Sequence, residues 1–222
     1  MSMIQKAKSL ASESLDCSLI LSHLIRPKAD QDKSCAKEIL RDILNINGGT
    51  GEGVIKGYDT GYYKNHNPKV YSKSMGGYNS PQNVKAVCFT ESTLRGLEAH
   101  NEIYKADYGL AFKRSILFEK GANPVINIRE SLLDSNVGCI LESGSWSDLK
   151  HHIPEPLAPF VNIINEKFDA THEREWRIPG DLKFRWDDVF FIFCPENDFA
   201  EFKAVQQNGL PSLFDLKWLS YV

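Results

Sequence analysis

The sequence predicts a single α+β domain that spans residues 1–222. Apolar residues at helical spacing are concentrated in the first half of the chain, whereas short apolar runs typical of strands dominate the second half. No internal repeat or low-complexity tract interrupts this arrangement. With 222 residues, of which 42% are hydrophobic and 11% aromatic, the chain can bury one sizeable core.

The first half of the chain begins with an N-terminal helical arm over residues 1–16, where apolar side chains recur at helical spacing. Residues 19–25 predict a buried strand that ends before Pro27. Residues 30–46 predict a helix with an apolar stripe. The glycine-rich residues 47–53 end this helix and indicate a flexible turn, because they lack the lysine of a phosphate-binding loop and do not follow a strand.

Residues 47–83 predict a long loop that is either functional or flexible. Between residues 57 and 82 the chain is rich in Gly, Tyr, Asn, Ser and Lys and shows little periodicity. Its tyrosines either stack on a flat ligand or pin the loop to the protein. The interleaved lysines and tyrosines of residues 56–85 also allow two interpretations, a solvated loop or a segment that stacks single-stranded bases.

The second half of the chain is predicted to alternate strands and helices. A helix is expected over residues 93–104, with Thr90 or Ser92 as its N-cap. Three prolines enclose a turn before a predicted helix over residues 160–168, and residues 214–222 predict an edge strand. The remaining predicted elements are strands over residues 84–89, 108–112, 123–128, 171–179 and 187–194 and a helix near residues 198–207.

The predicted strand that contains the sequence Glu-Arg-Glu-Trp-Arg is unusually charged. Because side chains two residues apart share a face of a strand, Glu173, Glu175 and Arg177 point one way. Trp176 and Ile178 point the other way and are expected to anchor the strand in the core, holding the charged face outward. This charged face is either a solvated surface on which Arg177 balances the two glutamates, or a functional site.

Composition excludes several classes of function. The five cysteines are odd in number and form neither a Cys-x-x-Cys pair nor a Cys/His cluster, so we expect no disulfide framework and no metal site. Mean hydropathy is −0.34, no apolar run approaches the ~18 residues of a membrane span, and no secretory signal is evident. We therefore expect a cytoplasmic protein without membrane contact. A net charge of −3 and a pI near 6.1 argue against a broad surface for duplex nucleic acid.

The paired glutamates suggest a chemistry if they share a cleft with His23, which lies near the end of the first predicted strand. Repulsion between two close carboxylates moves their pKa values apart, so one can be charged while the other holds a proton. A carboxylate beside a sugar can also stabilise an oxocarbenium-like transition state. A histidine can hold a ribose hydroxyl or a phosphate. This set suits cleavage of an N-glycosidic bond better than metal-assisted hydrolysis. Alternatively, His23 is a hydrogen-bonded core residue.

Several short motifs resemble those of the AbiGi-type abortive-infection proteins, which are bacterial phage-resistance proteins described as antitoxin-like. The resemblance covers roughly residues 18–195 and rests on the order and spacing of the motifs. They are Ser22-His-Leu-Ile-Arg26, Ala86-Val-Cys-Phe-Thr-Glu91, His100, Tyr108-Gly-Leu-Ala-Phe112, Gly121-Ala-Asn-Pro-Val-Ile126 and Glu173-Arg-Glu-Trp-Arg177.

The order of a His-bearing strand, a middle strand and a late Glu-x-Glu strand also resembles the ADP-ribosyltransferase fold, including DarT-like toxins. The resemblance implies a split mixed sheet flanked by helices, with NAD as substrate and no metal. It implies that Glu175 is the catalytic glutamate, in contact with the nicotinamide ribose, and that Glu173 faces the acceptor. The implied NAD-binding residues are His23, Arg26, Thr90 and Tyr108.

Two principal hypotheses follow. The first is an anti-phage NAD-dependent ADP-ribosyltransferase or NAD glycohydrolase, with a protein or nucleic-acid acceptor. The alternative is a non-catalytic antitoxin or sensor module that binds a cognate protein, because the middle strand carries Cys-Phe-Thr-Glu instead of Ser-Thr-Ser and Ile25 replaces the usual threonine. A third hypothesis, a nucleic-acid-processing enzyme, rests on the basic and aromatic residues 56–85.

Overall fold

The computed structural model describes residues 18–26, 34–59, 70–72, 77–79, 84–133, 138–140, 146–148, 155–166, 171, 174–206 and 209–221. It shows a mixed α/β protein with an eight-stranded mixed sheet. Five α-helices fall within these described ranges. The predicted mixture of helices and strands is therefore confirmed at the level of fold class.

The strands are short, and most of the helices span only one to three turns. The strands are β1 (Ile20–Ile25), β2 (Glu52–Ile55), β3 (Tyr58–Asp59), β4 (Val70–Ser72), β5 (Gly77–Asn79), β6 (Lys85–Thr90), β7 (Tyr108–Lys113), β8 (Asn123–Pro124), β9 (Ile126–Arg129), β10 (Gly138–Ile140), β11 (Trp146–Asp148), β12 (Val161–Ile164), β13 (Glu175–Pro179), β14 (Leu182–Arg185), β15 (Val189–Phe193) and β16 (Ser212–Phe214). The α-helices are α1 (Ser34–Leu44), α2 (Leu94–Tyr104), α3 (Arg114–Glu119), α4 (Glu130–Leu133) and α5 (Phe199–Phe202).

The order of strands in the large sheet is β16-β15-β7-β1-β6-β13-β8, with β3 also paired to β6. The chain divides into two compact units. The first comprises Met1–Ile55, Phe89–Gly121 and Leu182–Val222, and the second comprises Lys56–Cys88 and Ala122–Asp181. The single domain expected over residues 1–222 stays a prediction, and the N-terminal arm expected over residues 1–16 lies outside the described residues.

In the first unit, β7 is the central strand. It pairs antiparallel with β1 on one side and with β15 on the other, and β15 continues the sheet with β16 in parallel. The register places His23 opposite Leu110 and Ile25 opposite Tyr108. These strands are rich in aromatic and branched side chains, which favour a pleated surface that is buried on both faces.

Helices and strands cover both faces of this part of the sheet. On one face, Leu97 of α2 packs with Ala111 and Phe193, and the C-terminal residues Leu216 and Leu219 complete the cluster. Alternate side chains of β6, β7 and β14 meet on the other face. There Phe112 makes edge-to-face contacts, with ring centroids 6.0 Å from Phe89 and 5.2 Å from Phe184.

The second unit contains β13 and several smaller strand pairs. β13 pairs antiparallel with β8, and β9 pairs in parallel with β12. Asp181, at the end of the unit, accepts hydrogen bonds from the Gly57 amide and the Lys56 ammonium at its start. A side chain at position 57 would collide with the Gly180 carbonyl oxygen, so glycine allows the two backbone segments to approach closely here.

Most predicted elements are confirmed, and their observed ends lie within four residues of the predicted ends. They include the strand predicted at 19–25, the helices at 30–46 and 93–104, and the strands at 84–89, 108–112 and 187–194. The charged strand begins at Glu175 rather than at residue 171. The helix near residues 198–207 is shorter than expected, because only Phe199–Phe202 is α-helical.

The helix predicted over residues 160–168 is wrong. Residues Glu155–Phe160 form a 3₁₀ helix, and Val161–Ile164 form strand β12. Pro159 does not by itself prevent a helix from starting at residue 160, because proline is tolerated in the first turn of a helix. The β-branched Val161, Ile163 and Ile164 favour the strand that pairs with β9.

The edge strand predicted over residues 214–222 is also misplaced. β16 is one of the edge strands of the sheet, and a 3₁₀ helix over Leu216–Tyr221 follows it. The change of direction occurs at Asp215, whose carboxylate accepts hydrogen bonds from the backbone amides of Glu196 and Lys217. These two bonds hold the Asp215 carboxylate at the point where the strand ends and the 3₁₀ helix begins.

The loop predicted over residues 47–83 contains strands, so its description as one long loop is wrong. β2 begins inside the glycine-rich run and pairs antiparallel with β14, which the sequence did not predict. A side chain at position 53 would collide with the Phe184 ring, so Gly53 allows the strands to pack closely. β3, β4 and β5 also fall within this segment.

Candidate functional site

Arg177 and Glu175 form a buried network of hydrogen bonds in the second unit. The Arg177 Nε donates to Glu175 Oε1 at 2.8 Å, and Nη2 donates to Oε2 at 2.9 Å. Nη1 donates to the carbonyl oxygens of Pro159 and Val161 at 3.0 and 3.2 Å. The Arg177 and Glu175 side chains are only 6% and 10% exposed. The interpretation of a charged face held outward is therefore wrong for these two residues.

The burial of this pair has an electrostatic consequence. Burial opposes the charged form of Arg177, but the hydrogen bonds and charge of Glu175 outweigh it and raise the pKa of the guanidinium. Both oxygens of the Glu175 carboxylate are engaged by the same guanidinium. The charge of this carboxylate is therefore compensated, and the Arg177 guanidinium joins β13 to the segment at Pro159.

Cys88 of β6 belongs to the same group of side chains. Part of Cys88 is exposed to solvent, yet the protein around its thiol and the Glu175 carboxylate raise the pKa of the thiol to about 12. The thiol is therefore protonated at neutral pH and is a poor nucleophile. Glu173, the predicted acceptor-side carboxylate, lies outside the described residues.

His23 and Thr90 lie on opposite faces of the sheet in the first unit. The register places Ser22 opposite Thr90, so the Thr90 side chain shares the face of Ser22, one residue before His23. The His23 ring packs instead on the other face, with its centroid 5.8 Å from that of Phe89. The fold therefore does not bring these two predicted NAD-binding residues together.

The residues that follow Thr90 are also engaged within the first unit. The Thr90 and Ser92 hydroxyls are hydrogen-bonded at 2.6 Å, and the Glu91 carboxylate accepts a bond from Arg114 at 2.5 Å. The N-cap of α2 is Thr93, whose hydroxyl accepts a hydrogen bond from the Gly96 amide. The prediction of Thr90 or Ser92 as the cap is wrong, because their hydroxyls pair with each other.

Tyr108 and Arg26, the other two predicted NAD-binding residues, contact neighbouring side chains. The Tyr108 hydroxyl donates to the Asp198 carboxylate at 2.6 Å, and burial together with this bond raises the pKa of the phenol. The Arg26 guanidinium lies 3.8 Å from the centroid of the Tyr104 ring.

Tyr108 is part of a cluster of charged side chains that the sequence did not predict. The Lys37 ammonium donates to Asp198 at 2.9 Å and contacts Glu201 at 2.7 Å, and Arg41 also donates to Glu201. Lys37 and Asp198 are 161 positions apart in the chain. No local sequence pattern signals a contact of this range, and we define Lys37, Arg41, Tyr108, Asp198 and Glu201 as the α1 cluster.

No group of three or more His, Cys, Asp or Glu side chains within the described ranges is arranged to hold a metal ion. In the same part of the chain, no helix is long and apolar enough to cross a bilayer.

Comparisons with known proteins leave the family open. No protein-family model matches the chain. Searches of curated proteins and of solved structures likewise found no significant match.

Proposed function

We propose that this chain is a non-catalytic binding protein with an ADP-ribosyltransferase-like fold, which acts as the antitoxin or sensor component of a bacterial abortive-infection system. The observation that carries the proposal is the state of Glu175. A transferase needs this carboxylate at the nicotinamide ribose, whereas here both of its oxygens accept hydrogen bonds from a buried arginine.

The placement of the motifs supports the proposed likeness of fold. The described residues of five of the motifs that resemble abortive-infection proteins lie on or directly beside strands of the eight-stranded sheet, namely β1, β6, β7, β8 and β13. Their side chains mainly build that sheet. Arg177 anchors β13, and Ala111 and Phe112 are fully buried. A protein that is derived from an enzyme but works by binding is expected to keep the residues that maintain its fold.

The opposite orientations of His23 and Thr90 also support a binding role. A nucleotide pocket requires its ribose and phosphate ligands to converge on one side of the sheet. The register between β1 and β6 instead directs these two side chains to different faces. We therefore propose that the ligand of this chain is a partner protein rather than a nucleotide.

A second candidate function, transfer of ADP-ribose from NAD, is favoured by one observation. Arg174, immediately before Glu175, has a φ of 45°, a strained value for a residue with a side chain. Such strain is often found at functional sites. In this reaction the bond between ribose C1′ and the nicotinamide nitrogen breaks, the electron pair leaves with nicotinamide, and an acceptor nucleophile bonds to C1′.

Two measurements on the purified protein distinguish the candidates. The first follows nicotinamide release and acceptor labelling from NAD, alone, with single-stranded nucleic acid and with bacterial lysate, and we expect neither. The second measures co-purification with the product of the adjacent gene and protection of bacteria against phage. We expect a stable complex and protection that do not depend on the Glu175 carboxylate.

The decisive variant is Glu175→Gln/Arg177→Gln, because replacing both members of a buried pair avoids an uncompensated charge. Its matched control is Asp187→Asn/Arg185→Gln, which removes an exposed pair of the same sequence spacing. The proposal is supported if the Glu175→Gln/Arg177→Gln variant folds, still binds the partner and still protects bacteria against phage. NAD turnover that is lost in this variant and kept in the control would establish the enzyme, and absence of any complex would also overturn the proposal.

A further inference from the structure

Among the described residues of the first unit, two buried side-chain polar atoms have no hydrogen-bond partner. They are the Ser22 hydroxyl oxygen on β1 and the Asn101 side-chain carbonyl oxygen on α2. Ser22 is 1% exposed. A buried polar atom without a partner is costly, so folded proteins seldom leave one unpaired.

Both atoms belong to the layer between α2 and the sheet. Ser22 lies opposite Ala111 in the register, and Ala111 packs against Leu97 of α2. Asn101 follows Leu97 by four residues, so the two side chains lie on the same side of the helix. The hydroxyls of Thr90 and Ser92 border this layer, because Thr90 is the other register partner of Ser22.

The two atoms are chemically complementary but do not bond to each other. A serine hydroxyl can donate and an amide carbonyl accepts, so direct contact would satisfy both. Each atom therefore still needs a hydrogen-bond partner.

We propose that the α2–sheet layer contains an internal hydration site, in which water donates to Asn101 Oδ1 and bonds to Ser22 Oγ. Water fits because the two atoms are neutral and need both a donor and an acceptor. Internal waters of this kind typically make about three hydrogen bonds and belong to the folded structure. This site is independent of the proposed binding function.

The test combines detection of the water with two substitutions. Water–amide cross-relaxation in isotope-labelled protein should reveal a long-lived water near the amides of β1 and α2. Ser22→Ala should abolish that signal, and both Ser22→Ala and Asn101→Leu should lower the urea midpoint of unfolding. Ser115→Ala, at an exposed position of α3, is the control and should change neither measurement.

Three outcomes would contradict the proposed water site. If the hydroxyl is simply unpaired, Ser22→Ala removes an unsatisfied group and raises the midpoint. Absence of a long-lived water in the unsubstituted protein also overturns the proposal. A midpoint that rises with potassium or ammonium, compared with sodium at equal ionic strength, would assign the site to a cation and so contradict water.

Discussion

The Arg177 guanidinium provides donors to four oxygen atoms in the second unit, two from Glu175 and one each from Pro159 and Val161. Arg177→Met removes all four bonds and leaves the Glu175 carboxylate buried without its counter-charge. Breaking one side of a buried ion pair typically costs about 3–5 kcal/mol. We expect a decrease of this size in the free energy of unfolding, measured by urea titration.

A matched control for this substitution exists in the same protein. Arg185 forms the same kind of pair with Asp187, but the two side chains are 72% and 60% exposed. Because solvent screens exposed ion pairs, Arg185→Met should leave the urea midpoint unchanged. Equal effects of the two substitutions would mean that the Arg177–Glu175 pair contributes no more than a surface contact.

The thiols of Cys88 and Cys194 should resist alkylation. Burial is the main cause that raises the pKa of each to about 12, assisted by Glu175 at Cys88 and by Asp198 at Cys194. Relative to an ordinary thiol, on the order of a thousandfold less thiolate is then present at neutral pH. Iodoacetamide labelling, followed by peptide mass mapping, should modify both residues far faster in urea than in the native protein. Equal native and unfolded rates for Cys88 would contradict its raised pKa.

At the scale of elements, the α1 cluster joins helix α1 to the segment that precedes and includes α5. Lys37 contacts both Asp198 and Glu201, and its hydrogen bonds with them raise its pKa to about 12. Lys37 also lowers the pKa of Glu201. Burial raises the pKa of Asp198, but the bonds from Tyr108 and Lys37 outweigh it and lower the pKa overall.

These shifts define the pH range in which the cluster stabilises the protein. The carboxylates have lowered pKa values in the folded state, so their contribution is present above the unfolded values near 4 and is lost as pH falls below them. Lys37 has a raised pKa, so its contribution is present below 10.5 and is lost as pH rises toward about 12.

Lys37→Met should therefore destabilise the protein most between these limits. The side chains are 21–27% exposed, so screening by solvent limits the effect to about 1 kcal/mol. Unfolding midpoints of the substituted and unsubstituted proteins should differ near neutral pH and converge in acid. A difference that stays constant down to acidic pH would show that Lys37 acts through packing of its methylene groups instead.

Local patterns predicted the elements better than they predicted their contacts. Periodicity located β1, β6, β7 and β15 because an apolar strand is a short-range signal. It missed β14, and it placed a helix at β12, because the pairing partners of these strands lie far away in the chain. Tertiary pairing decided the outcome where local preference was weak.

At the scale of the whole molecule, the mixture of helices and strands was predictable as a fold class, but the candidate site was not. Sequence alternation placed Glu175 and Arg177 on one face, and the structure shows them paired there. Alternation cannot tell whether such a face meets solvent or the Pro159 segment. It also cannot fix the register between β1 and β6, which directs His23 and Thr90 to opposite faces.

The net charge of the molecule leads to a final prediction, concerning nucleic acid. At pH 7 the formal charge is −3, and protonation of all six histidines would change it to +3. Histidine titrates at about 6.5, so the change falls between neutral and mildly acidic pH. We expect no binding of duplex DNA at neutral pH and about 150 mM salt, and weak binding in mild acid that disappears with added salt.

The same titration tests the basic and aromatic residues 56–85 separately from overall charge. A single-stranded oligonucleotide of equal length serves as the comparison, because stacking on aromatic side chains requires unpaired bases. Binding of the single strand alone at neutral pH would support these residues as an acceptor-binding segment. Tight duplex binding at neutral pH would contradict the inference from net charge, because a protein of this charge repels a polyphosphate unless a concentrated local patch overcomes the repulsion.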